Sequence, residues 1–370
     1  MTIIGVIRET APGERRVALV PPDVGRLKGG GFEVLVETRA GAGAWHDDEA
    51  YTAAGARVAS RAEVYAASDV VVCLRPPDDL EALRNGQTLV GLLAPLDDPR
   101  VPERLAAAGV TAISLDLLPR TLSRAQAMDA LTSQANVAGY KAALVAADAY
   151  GGFLPMLVTA AGTTRPARVL VLGAGIAGLQ AIATARRLGA VVTGYDVREA
   201  AREDIASTGA SVLRLDAPAA TGEGGYARSL TDEEAEQQRR ALDTAVAGFD
   251  VVITAAQVPG GRSPLLVTED ALERLRPGAV VVDLGGNVAG SEPGRTVLTS
   301  RGVTVIGAPD LAAQVPEAAS TAYSRNVCAV LAALIPLDPD DELHAAMLVT
   351  HQGRITHPRV AAAITEEVTS

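Results

Sequence analysis

Gly173, Gly175 and Gly178 form a G-x-G-x-x-G inside the run "VLVLGAGIAGL", between an apolar strand and a helical stretch. A second strand, "AVVTGYD", follows and ends at Asp196, about 20 residues on, as dinucleotide-binding units require. The spacing has a physical reading. Gly173 permits the tight turn, Gly175 lets the backbone approach a pyrophosphate, and Gly178 allows helix to pack closely on strand. The pyrophosphate would sit at the positive helix N-terminus. Asp196 would accept hydrogen bonds from ribose hydroxyls and repel a 2′-phosphate, favouring NAD over NADP. Arg198, two residues later, works against that preference. Ile176, Val197 and Ala255 flank these positions and complete this region of the candidate site.

A second cluster of chemistry-bearing residues lies in Arg120–Tyr140, "RTLSRAQAMDALTSQANVAGY". Arg120, Gln126, Asp129, Thr132 and Tyr140 could grip a small polar molecule. Asp accepts from ribose hydroxyls or a carboxamide NH2, and Arg donates to a carboxamide oxygen or a pyrophosphate. Gln126 and Asp129 share a side of a helical turn, and Asn136 and Tyr140 share a helix face. Ser, Thr, Asn and Asp are also ordinary turn and cap residues. Ser123-x-x-Gln126 fits a capping box. Composition alone leaves both readings open.

The elements that must position these residues alternate. "TIIGVI", "EVLVET", "DVVVCLRPP", "TLVGLL" and "TAISLD" read as strands, separated by helical stretches. A long helical pattern covers Ser133–Tyr150, and a second series of strands follows from the glycine motif. The predicted fold class is α/β, with two Rossmann-like domains whose parallel sheets are separated by a nucleotide-binding cleft. The first domain is expected over 1–132 plus 318–370 and the NAD(H)-binding domain over 133–317. "APAATGEGGYARS" (Ala217–Ser229) interrupts the second domain, and its composition suggests a mobile loop. The stretch His344–Ser370 reads as a two-strand ribbon with a helical end.

The totals exclude several function classes. The chain has 370 residues, 48% of them apolar but only 3% aromatic, and a formal charge of −11. That charge disfavours nucleic acid and anionic lipid as partners. Cys73 and Cys328 are too few for a disulfide framework, which fits a reducing compartment. The N-terminus reads as a strand and not a signal peptide. No apolar run approaches the roughly 20 residues a bilayer span needs. His46, His344, His351 and His357 show no metal-ligand spacing; they are expected at the surface, with no metal bound.

The run "SRAQAMDALTSQANVAGYKAAL" resembles a segment of the NAD(H)-binding component of proton-translocating NAD(P) transhydrogenases. "GVIRETAPGERRVALVP" and "VLVLGAGIAGLQAIATARRLGA" resemble stretches that these proteins share with alanine dehydrogenases. The likeness runs nearly end to end. It implies that Arg120, Gln126 and Asp129 surround the nicotinamide and its ribose. Thr132 stands where the family often has Ser, keeping a hydroxyl. Tyr140 matches too, and Gly225-Tyr226-Ala227 resembles the tip of a loop that closes over nucleotide.

The same resemblance separates two activities. Alanine dehydrogenases use an Arg, a Lys, a His and an Asp around their substrate. Arg16 matches the Arg, but Arg75, Ala94 and Asn287 stand where the other three would be. Acid/base chemistry on an amino acid is then unsupported. Hydride transfer between two nicotinamides needs no such groups. With one nucleotide motif in the chain, NADP(H) is expected on a partner. The resemblance implies an NADP(H)-binding beta subunit and a membrane alpha-2 subunit as partners, and a homodimer. It also implies a cytoplasmic protein held peripherally at the inner membrane.

Overall fold

The computed structural model describes residues 1–215, 230–257 and 263–369. The chain divides into two compact units, Met1–Gln134 with Val315–Ser370, and Ala135–Gln314. Its strands run, in chain order, β1 (Thr2–Val6), β2 (Phe32–Glu37), β3 (Arg57–Ala59), β4 (Val70–Val72), β5 (Thr88–Gly91) and β6 (Thr111–Ser114). Then follow β7 (Leu157–Thr159), β8 (Gly162–Thr164), β9 (Arg168–Leu172), β10 (Val191–Tyr195), β11 (Ser211–Val212) and β12 (Val251–Thr254). The last are β13 (Val280–Asp283), β14 (Thr296–Leu298), β15 (Thr304–Gly307), β16 (Leu348–His351) and β17 (Arg354–Ile355).

The first unit holds a sheet of order β17-β16-β6-β5-β4-β1-β2-β3, the second a sheet of order β11-β10-β9-β12-β13-β15-β14. Read from β1 and from β9, both parallel cores follow the 3-2-1-4-5-6 strand order of dinucleotide-binding folds. The α/β class with two Rossmann-like domains is therefore observed. Neither sheet is purely parallel, however. β16 runs antiparallel to β6, and β14 antiparallel to β15. A two-residue turn forces the two strands that it joins, β16 and β17, to run antiparallel to each other. That turn is Gln352-Gly353, both at positive φ, between the β16–β17 pairs His351–Arg354 and Thr350–Ile355.

The strands are Val-, Ile- and Leu-rich because each sheet is covered on both faces. In β9, Val169 and Val171 enter one core while Leu170 and Leu172 enter another on the opposite face. The first unit repeats the plan: Val70 and Val72 of β4 face one cluster, Val71 the other. The helix Pro316–Leu334 belongs to the first unit, whose core takes its Tyr323, Val327, Val330, Leu331 and Leu334.

Candidate functional site

The glycine motif opens the helix Ile176–Arg187 directly after β9. Gly173 has φ +95°, a conformation L side chains rarely adopt, and a Cβ there would lie 2.7 Å from the Ala256 backbone nitrogen. The turn thus leaves β9 against the chain that leaves β12. These are the two neighbours at which the strand order reverses, where open α/β sheets take their ligands. A Cβ on Gly178 would sit 1.8 Å from the Gly173 carbonyl oxygen, so the helix cannot approach the turn with any other residue there. Gly175 is the contrast: among the described residues nothing lies within 4 Å of where its Cβ would be. It is the N-cap and supplies no side-chain cap. The helix therefore presents uncapped backbone N–H groups across an open space, a cradle that fits a pyrophosphate. Ile176 is the first helical residue, half-buried beside it. Ala255 donates its N–H to the Leu172 carbonyl at 2.8 Å, extending the β9–β12 pairing to the edge of the turn.

One glycine of this site escaped sequence reasoning. A Cβ on Gly139 would come within 2.0 Å of the Ala177 carbonyl oxygen. The helix Ala130–Ala149 thus packs backbone to backbone on the first turn of the motif helix. Asn136, one turn earlier, donates to Gln180 Oε1 at 3.2 Å. The only sequence signal was a glycine inside a long helical pattern, where it costs about 1 kcal/mol relative to Ala. Tyr140, next in sequence, stays exposed.

Asp196 follows β10, and its carboxylate is engaged on every side. Oδ2 accepts from Ala174 N–H at 2.8 Å and Arg198 Nη2 at 2.9 Å, and Oδ1 from the backbone N–H and Nε of Arg198, both at 2.9 Å. Arg198 Nη2 also reaches the Ala174 carbonyl at 3.3 Å. Burial raises the Asp196 pKa, but the hydrogen bonds and charge of Arg198 more than offset that, leaving it below the ordinary value. Val197 is half-buried between them.

In the polar segment, Asp129 stands at the start of the helix Ala130–Ala149. It accepts from Thr132 N–H at 2.9 Å and from the Thr132 hydroxyl at 2.6 Å, and pairs with Arg120 Nε at 3.3 Å. The Ser123/Gln126 box that the spacing also fits does not form. Ser123–Met128 is a 3-10 turn whose N-cap, Leu122, makes no side-chain cap. The capping pair lies one turn further on because Asp129 meets the first true α-helical N–H groups. Gln126 is exposed, and among the described residues its side chain has no hydrogen bond. Ser133 and Gln134 serve the fold: Ser133 donates to Asn326 Oδ1 at 2.7 Å and Gln134 to the Ala319 carbonyl at 3.0 Å.

A third cluster, at the reversal of strand order in the first unit, was only partly foreseen. Arg16 is buried and gives two bonds to Glu14, from Nε at 2.8 Å and Nη2 at 2.5 Å, and one to Gln134 Oε1 at 2.8 Å. Arg75 Nε lies 3.7 Å from Glu14. Glu9 accepts from the backbone N–H groups of Leu74 and Arg75 at 2.7 and 3.3 Å. Burial pushes Glu9 up to about 7. Burial raises Glu14 too, but Arg16 prevails and lowers it. So Arg16, matched by type to a substrate-binding arginine, faces carboxylates of its own chain. Asn287 is fully buried and donates to the carbonyls of Ala256 and Pro264, both at 2.9 Å. It offers no acid or base.

The expectation of surface histidines is corrected. His344 is buried and its Nδ1 accepts from Asp338 N–H at 2.8 Å, while His46, His351 and His357 are half-buried. An imidazole has an apolar body as well as polar nitrogens, so packing from elsewhere in the chain can cover it. Among the described residues no group of His, Cys, Asp and Glu could hold a metal ion. Gly225, Tyr226 and Ala227, with the whole loop Ala217–Ser229, lie outside the described residues.

The family model "Alanine dehydrogenase/PNT, N-terminal domain" matches residues 5–138, and "Alanine dehydrogenase/PNT, C-terminal domain" matches 142–358. The chain is 40% identical over 377 residues to the first polypeptide of the divided NAD(P) transhydrogenase subunit alpha of Rhodospirillum rubrum, covering 96% of this chain and 98% of that protein. It is 33% identical over 294 residues to the alanine dehydrogenase of Bacillus subtilis, covering 76% of this chain and 70% of that one. Among solved structures, a transhydrogenase from Sinorhizobium meliloti superimposes with a TM-score of 0.85 at 38% identity, covering 96% of this chain and 99% of that one. An L-alanine dehydrogenase gives 0.82 at 26% identity, covering 99% of both chains.

Proposed function

The chain belongs to the alanine dehydrogenase/PNT family, and from that premise we propose that it is the NAD(H)-binding subunit of a proton-translocating NAD(P) transhydrogenase. It takes part in direct hydride transfer between NADH and NADP+ held by a partner. The observation that carries this reading is the loss of acid/base groups from an otherwise retained framework. Ala94 has no side-chain proton to move, and Asn287 spends its amide on two backbone carbonyls. The more distant likeness to alanine dehydrogenases therefore concerns the framework and not the chemistry. When bound, the dihydronicotinamide supplies the hydride; the protein's task is to place and shield it.

Under this reading the backbone N–H groups at Gly175 and Ile176 bind the pyrophosphate. Asp196 receives the adenosine ribose, with Val197 and Ala255 beside it. Arg120, Asp129 and Thr132 are already joined to one another, so their geometry is organised before nucleotide arrives. Gln126 keeps its amide available for the nicotinamide carboxamide, and Tyr140 keeps an exposed ring. Holding the ring firmly while leaving one face open lets a second nicotinamide approach to about 3–3.5 Å. No step asks a residue to gain or lose a proton. Gly225, Tyr226 and Ala227 are assigned to closure over the nucleotide.

The partners follow from the same reading. NADP(H) is carried by a beta subunit, and protons by membrane subunits that include alpha-2. No helix of the described residues is long and apolar enough to cross a membrane. The chain would then sit peripherally on the cytoplasmic side. A homodimer is supported by the pair β7–β8, a separate two-stranded sheet. Phe153, Met156 and Val158 stand 58%, 59% and 71% exposed on and beside it. Such a hairpin is marginal alone, and its apolar side chains need cover; a second copy supplies both.

The test compares two assays. NADH-to-NADP+ analogue transfer should appear only when an NADP(H)-binding partner is added. Oxidation of NADH on adding pyruvate and ammonia to the chain alone would instead favour an alanine dehydrogenase.

A further inference from the structure

We propose that Asn326 is a positioning residue for hydride transfer: it bridges Ala127 and Ser133, and so sets where Gln126 stands relative to Asp129 and Thr132. The proposal rests on the reading that these last three residues hold the nicotinamide end of the nucleotide. Asn326 lies inside the helix Pro316–Leu334 and is buried. Its amide NH2 donates to the Ala127 carbonyl at 2.8 Å, and its Oδ1 accepts from the Ser133 hydroxyl at 2.7 Å. A carbonyl oxygen can only accept, so the amide cannot be turned end for end. The two partners stand on either side of Asp129 and Thr132. Ala127 belongs to the 3-10 turn Ser123–Met128 that carries Gln126, and Ser133 to the first turn of the helix Ala130–Ala149. Between them Asp129 has φ −74° and ψ 83°, which is not helical. No continuous helix therefore fixes the angle between turn and helix, and Asn326 ties them across the bend.

Apolar packing alone does not supply that tie. Ala125, Met128 and Ala130 share a core cluster with Val327 and Val330, but apolar contact is non-directional, whereas hydrogen bonds have a preferred angle and length. A buried Asn costs stability unless its polar ends are paired, and here both are. A second tie holds the same turn: Arg124 forks onto Asp341 at 2.9 and 2.7 Å. Gln126 thus lies between two tied neighbours, Arg124 and Ala127, while its own side chain is exposed. Loss of the Asn326 bridge lets the Gln126 side move against the Asp129 side. A shift of about 1 Å is enough to slow a transfer that depends on near-attack geometry.

Asn326→Asp separates positioning from folding. Protonated, the new carboxyl donates to Ala127 and accepts from Ser133, as the amide does. Ionised, it has no proton for Ala127 and repels that carbonyl. The charged side chains of the elements it touches are Glu317 and Arg325 on its own helix, Arg124 on the turn, Asp129 at the bend, and Lys141 and Asp148 later in the helix Ala130–Ala149. Of these, Arg124 is paired with Asp341 and Asp129 with Arg120. The NADH-loaded natural chain, Asn326→Asp, Ser133→Ala and Gln126→Asn are each mixed with an NADP+ analogue on the NADP(H)-binding partner. Single-turnover rates are measured between about pH 5 and about pH 8, beside NADH dissociation constants. Relative to the natural chain at the same pH, Asn326→Asp should transfer about tenfold more slowly at the alkaline end and recover as pH falls. Its NADH affinity should change by less than about threefold. Ser133→Ala, which loses one of the two bonds, should be about threefold slower at every pH; it decides the matter if Asn326→Asp does not fold. If Gln126→Asn is slow while Asn326→Asp keeps one ratio at every pH, or Ser133→Ala keeps the natural rate, the positioning role of Asn326 is overturned. If Gln126→Asn also keeps the natural rate, the nicotinamide reading of the segment fails with it.

Discussion

Thr132 is bonded twice to Asp129, its N–H to Oδ1 at 2.9 Å and its hydroxyl to Oδ2 at 2.6 Å. One carboxylate thus caps the helix Ala130–Ala149 and orients Arg120, so helix start and proposed nicotinamide site share an anchor. Asp129→Ala should cost about 0.5–2 kcal/mol as a lost cap. Thr132→Val should cost about 0.5–1.5 kcal/mol, and Thr132→Ser much less. Urea unfolding of the three variants checks the order. Equal stability of Asp129→Ala and the natural chain would remove the carboxylate from the cap.

Gln126 has no such structural duty. Gln126→Asn should leave stability and NADH affinity nearly unchanged while slowing hydride transfer to a partner, because a side chain shorter by one methylene misplaces the carboxamide. Single-turnover rates beside binding constants test it. An unchanged rate removes Gln126 from the site.

The glycine motif separates fold from binding. Gly178→Ala and Gly139→Ala place a methyl group against backbone carbonyl oxygens, 1.8 and 2.0 Å away before any relaxation. Each should destabilise by about 1–3 kcal/mol, as overpacked sites do. At Gly175 no atom of the described residues lies within 4 Å of an added Cβ, so Gly175→Ala should leave the melting temperature in place and weaken NADH binding. A Gly175→Ala protein that binds NADH normally would take the pyrophosphate away from this helix N-terminus.

What was legible in the sequence follows from the range of the forces involved. The motif could be read because its demands are local: a turn at Gly173, a close approach at Gly178, a carboxylate one strand later. The sheets could be read from Val-rich runs such as β4 and β13. The need for Gly139 could not, because it depends on a helix more than thirty residues further along. Nor could the Arg16–Glu14–Gln134 cluster, in which Arg16 and Gln134 are 118 positions apart. Ser123/Gln126 and Asp129/Thr132 both fit a capping spacing. The choice between them was made by where the 3-10 turn gives way to α-helix, which side-chain types do not encode. The half-buried histidines were missed because tertiary packing, not spacing, covers them.

Glu9 makes stability depend on pH in a defined sense. Its folded pKa of about 7 lies above the ordinary 4.5, so the folded chain holds a proton that the unfolded chain releases. The contribution is full below about 4.5 and is lost as pH rises toward 7. It is on the order of 3 kcal/mol. Glu14 and Asp196, with lowered values, act oppositely and lose their contribution as pH falls. Glu9→Gln should therefore lessen the decline in stability between pH 5 and pH 8 (roughly, the window set by Glu9). Urea midpoints at the two pH values test this; parallel declines in both proteins would contradict it.

The β7–β8 hairpin should be the surface covered by a second copy. Val158→Lys together with Met156→Lys should yield a monomer on sedimentation while leaving the helical circular dichroism intact. A dimer that survives both charges would place the interface elsewhere.

The most direct measurement of the central claim is a rapid-mixing experiment. NADH bound to this chain is mixed with an NADP+ analogue bound to the NADP(H)-binding partner subunit. Reduction of the analogue is followed optically, first with unlabelled NADH and then with NADH deuterated at C4. Direct hydride transfer should give a single-turnover burst that requires both proteins, slows with C4-deuterated NADH, and carries the deuterium into the product. A product without deuterium, or a burst from this chain without its partner, would contradict it.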